Sequence, residues 1–288
     1  MSLRDLTQPL LESARWQQTN VKRWLLLLIA GGILLIVGFY TATDSTRLHN
    51  DLLLQGADWS GYALCHRITE RSFAVNGRQF PLCARCSGMY LGVALVVVAI
   101  ALAGRLRRAG LPPWRLLLVM LGFLVIMGID GMNSYAHFFP NAPHLYEPRN
   151  WLRLLTGMGT GVAMGLILLP ALAQSLWRSP QYQPIISTGR ELIQLLILAA
   201  LTVFLLLSNR PTLLYVLALV SVAGLLLIVT ALNTVILLVI FRRDGRALVW
   251  RQTAVPLLVG FLVTLVELSM ISLFRFKLTG TMTGFPSL

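Results

Sequence analysis

The sequence predicts an all-α membrane protein with seven transmembrane helices. The N-terminus is expected in the cytoplasm, the C-terminus outside, and a Cys/His β-hairpin loop between helices 1 and 2 on the extracytoplasmic side. Three observations carry this expectation. Hydrophobic residues fill 56% of the 288 positions and charged residues only 12%, a balance too apolar for a soluble domain. Seven apolar runs have about the length that a ~30 Å hydrocarbon core requires. The Lys and Arg residues sit in short segments between those runs. The net charge of +13 therefore reports membrane topology. No basic cluster interleaved with aromatics lies on a soluble domain, which excludes nucleic acid as a partner.

Residues 1–23 form a polar tail with Arg4, Arg15, Lys22 and Arg23. The first apolar run covers 24–40. Its preceding arm is long and no small-x-small cleavage site follows, so it reads as an uncleaved signal anchor. Residues 44–87 form the Cys/His loop. Within it, residues 48–64 mix Leu52, Leu53, Trp59 and Tyr62 with His49, Asp51 and Asp58. That pattern suits an amphipathic segment on the outer membrane surface and suits equally a linker covering the bundle. The remaining runs are 88–103, 114–136, 154–177, 191–207, 213–241 and 254–274. The second span is short and the sixth long, which implies unequal tilt or an interfacial end. Residues 24–177 group as a four-helix core with its loop, and 178–288 as a three-helix membrane extension.

Orientation follows from the basic residues. The tail and the loops at 104–115, 178–190 and 242–253 hold 14 of the 24 Lys and Arg residues. Arg105, Arg107 and Arg108, and then Arg242 and Arg243, form tight juxtamembrane clusters, the kind that retains a loop in the cytoplasm. The Cys/His loop then lies outside.

That loop holds all three cysteines of the chain. Cys65 and His66 are followed, after sixteen residues, by Cys83-Ala84-Arg85-Cys86. Two cysteines two residues apart, facing a second sulfur/imidazole pair across a short loop, are the usual layout of a tetrahedral zinc site. Strand-like runs at 72–75 and 78–82 flank Asn76-Gly77, the strongest two-residue turn signal. A hairpin there returns Cys83 toward Cys65. Neighbouring side chains in an extended chain point to opposite faces. Cys65 and His66 therefore share one ion only if the backbone turns; otherwise the fourth ligand is His137, Asp130 or water. Redox-active thiols and chemically inert cysteines are the two other readings of the same spacing.

An ionisable residue inside a span is a functional candidate by default. Asp130, Asn133 and His137 recur at spacings of three and four, on one helical face. Asp130 lies ~21 Å from the inner end of its run at 1.5 Å per residue. Asp130 and Glu267 are the candidate acid/base residues. Arg85, Asn150, Arg153 and His137 are the candidate anion-binding residues. The structural alternative pairs Asp130 with Arg153 or Arg85, because buried charges are usually paired and such pairs often only lock packing. Gly157, Gly161 and Gly165 recur every four residues, a pattern of close helix packing.

The loop resembles an uncharacterised family of prokaryotic integral membrane proteins known as domain of unknown function 2085. The residues that carry the resemblance are Ala57-Asp58-Trp59, Cys65-His66-Arg67, Glu70-Arg71-Ser72-Phe73, Gly77-Arg78-Gln79 and the run from Pro81 to Gly92. A second block comprises Asp130-Gly131, Asn150, Arg153 and Thr156-Gly157. The resemblance covers roughly residues 57–165. It implies a multi-pass protein of a prokaryotic plasma membrane and names no reaction.

The functional expectation is an extracytoplasmic metal site of Cys65, His66, Cys83 and Cys86, with zinc as the metal, over a polar outer-leaflet pocket. Such a site suits an anionic lipid headgroup or other envelope substrate, since guanidinium matches phosphate. One alternative is a thiol oxidoreductase passing electrons from Cys83 and Cys86 to a membrane quinone. The other is a transporter with Asp130 and Glu267 lining its path.

Overall fold

The computed structural model describes residues 29–139, 143 and 145–282. The expected tail, the first five residues of the first expected span and His144 lie outside these. The described part of helix α1 is Ile29–Ala42. It is followed by α2 (Ser45–Asn50), α3 (Leu52–Leu64), β1 (Ser72–Val75), β2 (Arg78–Cys83) and α4 (Ala84–Leu102). Then come β3 (Arg108–Gly110), α5 (Trp114–Ala136), α6 (Asn150–Leu176) and β4 (Gln181–Pro184). The chain closes with α7 (Gly189–Leu207), α8 (Pro211–Ile240) and α9 (Trp250–Thr279). Among the described residues, six helices, α4 to α9, are long and apolar enough to cross a membrane, and α1 is a shorter apolar helix.

α6 is the central helix and packs on α4, α5, α7 and α8, while α5 and α9 are the most exposed of the six. The α4–α6 contact is the tightest because glycine backbones meet there. A Cβ on Gly88 would collide with the Leu154 carbonyl, and one on Gly161 with the Met89 carbonyl. The expected glycine spacing thus describes one seam: Gly157 faces Arg85, Gly161 faces Met89 and Gly165 faces Val96. Dispersion and close backbone approach hold membrane helices together where lipid removes the hydrophobic drive. Gly161→Val should push α4 and α6 apart and destabilise the bundle by about 1–3 kcal/mol, as overpacking does. Thermal unfolding in detergent checks this.

Three loops meet at one end of the bundle. β3 pairs parallel with β4, and Trp177 bridges to Ala247. Gly245 N–H donates to the Ser175 carbonyl at 2.8 Å and Arg178 N–H to the Ala247 carbonyl at 3.0 Å. These are the loops whose arginines set the expected orientation. The β1–β2 hairpin lies at the opposite end, where α4 begins and α5 ends. Its turn residues Asn76 and Gly77 both have positive φ, 45° and 84°, the conformation a two-residue hairpin requires and Asn-Gly supplies at little cost.

α3 has one buried and one exposed face. Leu54, Ala57 and Tyr62 are buried while Leu52, Leu53 and Leu64 are exposed. Its N-terminus is capped by Asp51, whose carboxylate accepts from Leu54 N–H at 2.8 Å. Its buried face docks on α9: Ser272 Oγ donates to the Trp59 carbonyl at 2.7 Å, and Tyr62 Oη meets Thr279 Oγ1 at 2.7 Å.

Candidate metal centre

The three cysteines enter one small volume by different routes. Cys65 ends α3, with its N–H bonded to the Gly61 carbonyl at 2.9 Å. Cys83 ends β2 and caps α4. Its register partner across the hairpin is Ser72, so the Asn-Gly turn fixes how far Cys83 returns. Cys86 sits on the first turn of α4. Cys65 and Cys83 are buried and Cys86 is half-buried.

The donor atoms of Cys65, His66 and Cys83 lie within 4.8 Å of one another. Bonds of 2.3 Å at a tetrahedral angle put sulfurs about 3.8 Å apart, so small side-chain movements would close this group on an ion. Cys86 is not in that group of three; its thiol is a hydrogen-bond neighbour of both Cys65 and Cys83. Cys65 and His66, though adjacent, bring their donor atoms together. Arg67 follows them with φ 48°, a left-handed conformation uncommon outside glycine, and His66 Nδ1 comes to 4.0 Å from Cys65 Sγ.

Five side chains hold that turn. Arg67 pairs with Asp58 at 2.8 Å, and Arg78 takes the second Asp58 oxygen at 2.8 Å. Gln79 Nε2 donates to the Arg67 carbonyl at 2.8 Å. From α9, Arg275 donates to the carbonyls of Tyr62 at 2.6 Å and Cys65 at 2.5 Å. Side chains on a turn held this way are fixed in place before any ion arrives.

The thiols are electrostatically unequal. Cys83 is held well below the usual thiol range by hydrogen bonds from Cys65 and Cys86, with His66 adding to the effect. Cys65 is pushed up to about 12, chiefly by its hydrogen bond with Cys83. The Cys83 N–H also donates to Cys65 Sγ at 3.1 Å. Two nearby thiols that share a proton behave this way, and a soft cation replaces the proton readily.

A second cluster adjoins the first through Arg85. Arg85 Nε donates to Asp130 Oδ2 at 3.1 Å, and its Nη2 pairs with the same oxygen. Tyr146 Oη donates to Asp130 Oδ1 at 2.8 Å, and Thr156 Oγ1 reaches Oδ2 at 3.4 Å. Asp130 is 1% exposed, and this pairing with Arg85 is the one the sequence offered as the structural alternative. Ser134 receives Arg85 Nη2 at 3.1 Å and Arg153 Nε at 3.4 Å on its hydroxyl, and Arg71 Nη2 at 3.0 Å on its carbonyl. Arg153 also donates to Asn150 Oδ1 at 2.8 Å. Arg85 lies between Cys83 and Cys86 in the chain, so the guanidinium cluster adjoins the thiols.

Two candidates fall outside it. His137 lies 3.8 Å from the Glu147 carboxylate, with 43% of its side chain exposed. Glu267 is exposed on α9 and accepts from Asn233 Nδ2 of α8 at 2.9 Å. It lies eight residues before Arg275, about 12 Å along the helix. Three functional residues had no assigned role in the sequence reading. Asp58 sat within a quoted motif, but nothing in its spacing shows that it bridges two arginines. Tyr146 sits in a loop with no periodic relation to Asp130. Arg275 is far along the chain, and its one signal was a charge directly after an apolar run. Tyr146→Phe removes a hydrogen bond to a buried carboxylate and should cost about 1.5–3 kcal/mol, read from unfolding in detergent.

A bundle of six apolar helices defines a multi-pass membrane protein, here of a prokaryotic plasma membrane. The family described as "Predicted membrane protein (DUF2085)" matches residues 65–167, the hairpin through most of α6. An uncharacterized protein of Methanothermobacter thermautotrophicus is 32% identical over 104 residues, 36% of this chain and 83% of that protein. An uncharacterized protein of Methanocaldococcus jannaschii is 28% identical over 116 residues, 40% of this chain and 67% of that one. The chain belongs to the DUF2085 family. No solved structure matches it.

Proposed function

We propose that this protein carries an extracytoplasmic zinc site, held by Cys65, His66, Cys83 and Cys86, beside an anion pocket at the outer end of a seven-span bundle. The observation that carries the reading is the Cys65–His66–Cys83 group, with both cysteines buried and its donor atoms within 4.8 Å. Two or three thiolates and an imidazole suit zinc among the common divalent ions. With all four ligands bound, the ion pins the hairpin to α3 and α4. With the Cys86 position open, it would supply a polarised water. The test is metal analysis of the detergent-purified chain. About one zinc per chain is expected, and none in Cys83→Ser.

Arg71, Arg85 and Arg153 gather three guanidiniums around Ser134, beside the one buried carboxylate of Asp130, an excess of positive charge that suits an anionic lipid headgroup. In this reading Asp130 positions Arg85 and does not act as a base, because its oxygens are engaged by Arg85, Tyr146 and Thr156. The same engagement disfavours a transport path through Asp130. The N-in, C-out orientation accords with the basic loops meeting at the end opposite the hairpin. A reporter fused within the 242–249 loop should be active only in its cytoplasmic form. The division into a 24–177 core and a 178–288 extension is a division of sequence: Arg275 of the extension braces the Cys65 turn.

One observation favours the thiol oxidoreductase reading: a depressed Cys83 thiol beside two others. Oxidation of Cys83 and Cys86 to a disulfide would deliver two electrons and two protons to a membrane quinone, giving quinol. A Cys83–Cys86 disulfide that forms on quinone addition, in protein that binds no zinc, would establish that reading instead.

A further inference from the structure

The last two helices touch at one level and part below it. A Cβ on Gly260 would strike the Thr234 hydroxyl, so α8 and α9 are in contact there. One turn further along α9, Asn233 Nδ2 donates to Thr264 Oγ1 at 3.0 Å. Toward the loop that joins them, the helices separate around a slot of about 350 Å³. Leu237, Leu238, Phe241, Val255 and Val259 line it, and one charged side chain, Arg243, lines the end nearest the loop.

Arg243 is an exposed residue. Its backbone N–H closes α8 on the Leu238 carbonyl at 2.8 Å. Among the described residues its guanidinium makes no ion pair. Its neighbours Arg242, Arg246 and Arg251 face a single acid, Asp244, in the same segment. The slot walls offer almost no polar partner, so a small soluble anion would gain only the one charge contact. A neutral lipid would fill the slot and leave Arg243 without a counter-charge. The ligand that answers both features has an apolar chain and an anionic head. The volume lies at the low end of ligand pockets, about 300–1,000 Å³, which suits one acyl chain and not a whole lipid.

We infer that this slot seats an acyl chain of an anionic phospholipid of the surrounding bilayer, with its phosphate on Arg243. Basic pockets between helices at a membrane face recognise such headgroups, and the planar guanidinium matches phosphate oxygens in pairs. The site stands at the opposite end of the bundle from the cysteines and does not depend on the zinc reading. Its occupant would bridge α8 and α9 below their Gly260 contact.

Native mass spectrometry of the full chain in mild detergent tests this, with phosphatidylglycerol and phosphatidylcholine of equal chain length titrated separately. The wild type should retain phosphatidylglycerol about tenfold better, the size of one charge-assisted hydrogen bond. Arg243→Gln should abolish that preference. Val259→Trp, which fills the slot, should lower retention of both lipids. Arg251→Gln removes an equal charge outside the slot and should leave the preference intact. Equal retention of the two lipids by the wild type would overturn the inference. So would a preference unchanged in Arg243→Gln, a retention of both lipids unchanged in Val259→Trp, or a preference lost equally in Arg251→Gln, which would mean diffuse attraction by the loop.

Discussion

Arg85→Ala should destabilise the protein by about 3–5 kcal/mol, the cost of leaving one member of a buried ion pair without its partner. Asp130 is 1% exposed and Arg85 is its only cationic contact among the described residues, through two guanidinium nitrogens. Tyr146 and Thr156 would still donate to the carboxylate, but neither neutralises it. The loss should not be confined to α4 and α5. Arg85 Nη2 also reaches Ser134, whose hydroxyl and carbonyl tie down Arg153 and Arg71, so the hairpin ends of α4, α5 and α6 should loosen together. Asp130→Asn in the Arg85→Ala background should recover part of the stability, because the buried charge disappears. Lys at position 85 should rescue poorly, since an ammonium cannot reproduce the forked contact. Chemical unfolding in detergent, run as a double-mutant cycle, reads all three outcomes. An Arg85→Ala protein within about 1 kcal/mol of wild type would place the pair among those that contribute nothing measurable.

The second large effect is expected at the hairpin. Chelation of the metal, or Cys83→Ser, should release residues 65–83 from α3 and α4 while the α4–α6–α8 core stays folded. Structural zinc contributes about 10–16 kcal/mol of apparent binding free energy in small domains that cannot fold without it. Here the bundle has its own core, so the loss should appear as local opening. Amide exchange in the Cys65–Cys83 segment should accelerate by several orders of magnitude, with α6 unchanged. Acid should have the same effect as chelator, because bound ligands must be deprotonated and protons compete with the ion. Zinc should therefore be retained at neutral pH and lost progressively as pH falls. Uniform protection in metal-free protein would mean that Asp58, Gln79 and Arg275 hold the turn unaided.

Periodicity and apolar runs made the spans legible, and polar residues blurred their ends. The 114–136 run matches α5 because Pro113 precedes it and it is apolar from its first residue. α4 starts at Ala84, four residues before the expected boundary at 88, because Arg85, Cys86 and Ser87 interrupt the apolar run while the helix continues through them. That first turn carries the chemistry, so the same polarity that marks the site hides the helix beneath it. Asn76-Gly77 marks a turn through local backbone preference alone. The convergence of Arg85, Asp130 and Arg153 was readable from helical rise, since all three fall near the hairpin ends of their spans. Glu267 illustrates the limit of depth alone. It lies within the span by helical rise yet is exposed at the edge of the α8 contact, bonded to Asn233, and only packing decides which face of α9 meets α8. Tyr146 and Arg275 required the tertiary structure, because a loop and a distant helix supply them.

X-ray absorption at the zinc edge tests the central claim most directly, on the purified full chain without added metal. The account predicts a four-coordinate first shell dominated by sulfur at about 2.3 Å with one nitrogen at about 2.0–2.1 Å. A shell of oxygen and nitrogen alone, or no zinc in protein whose three thiols are intact, would contradict it.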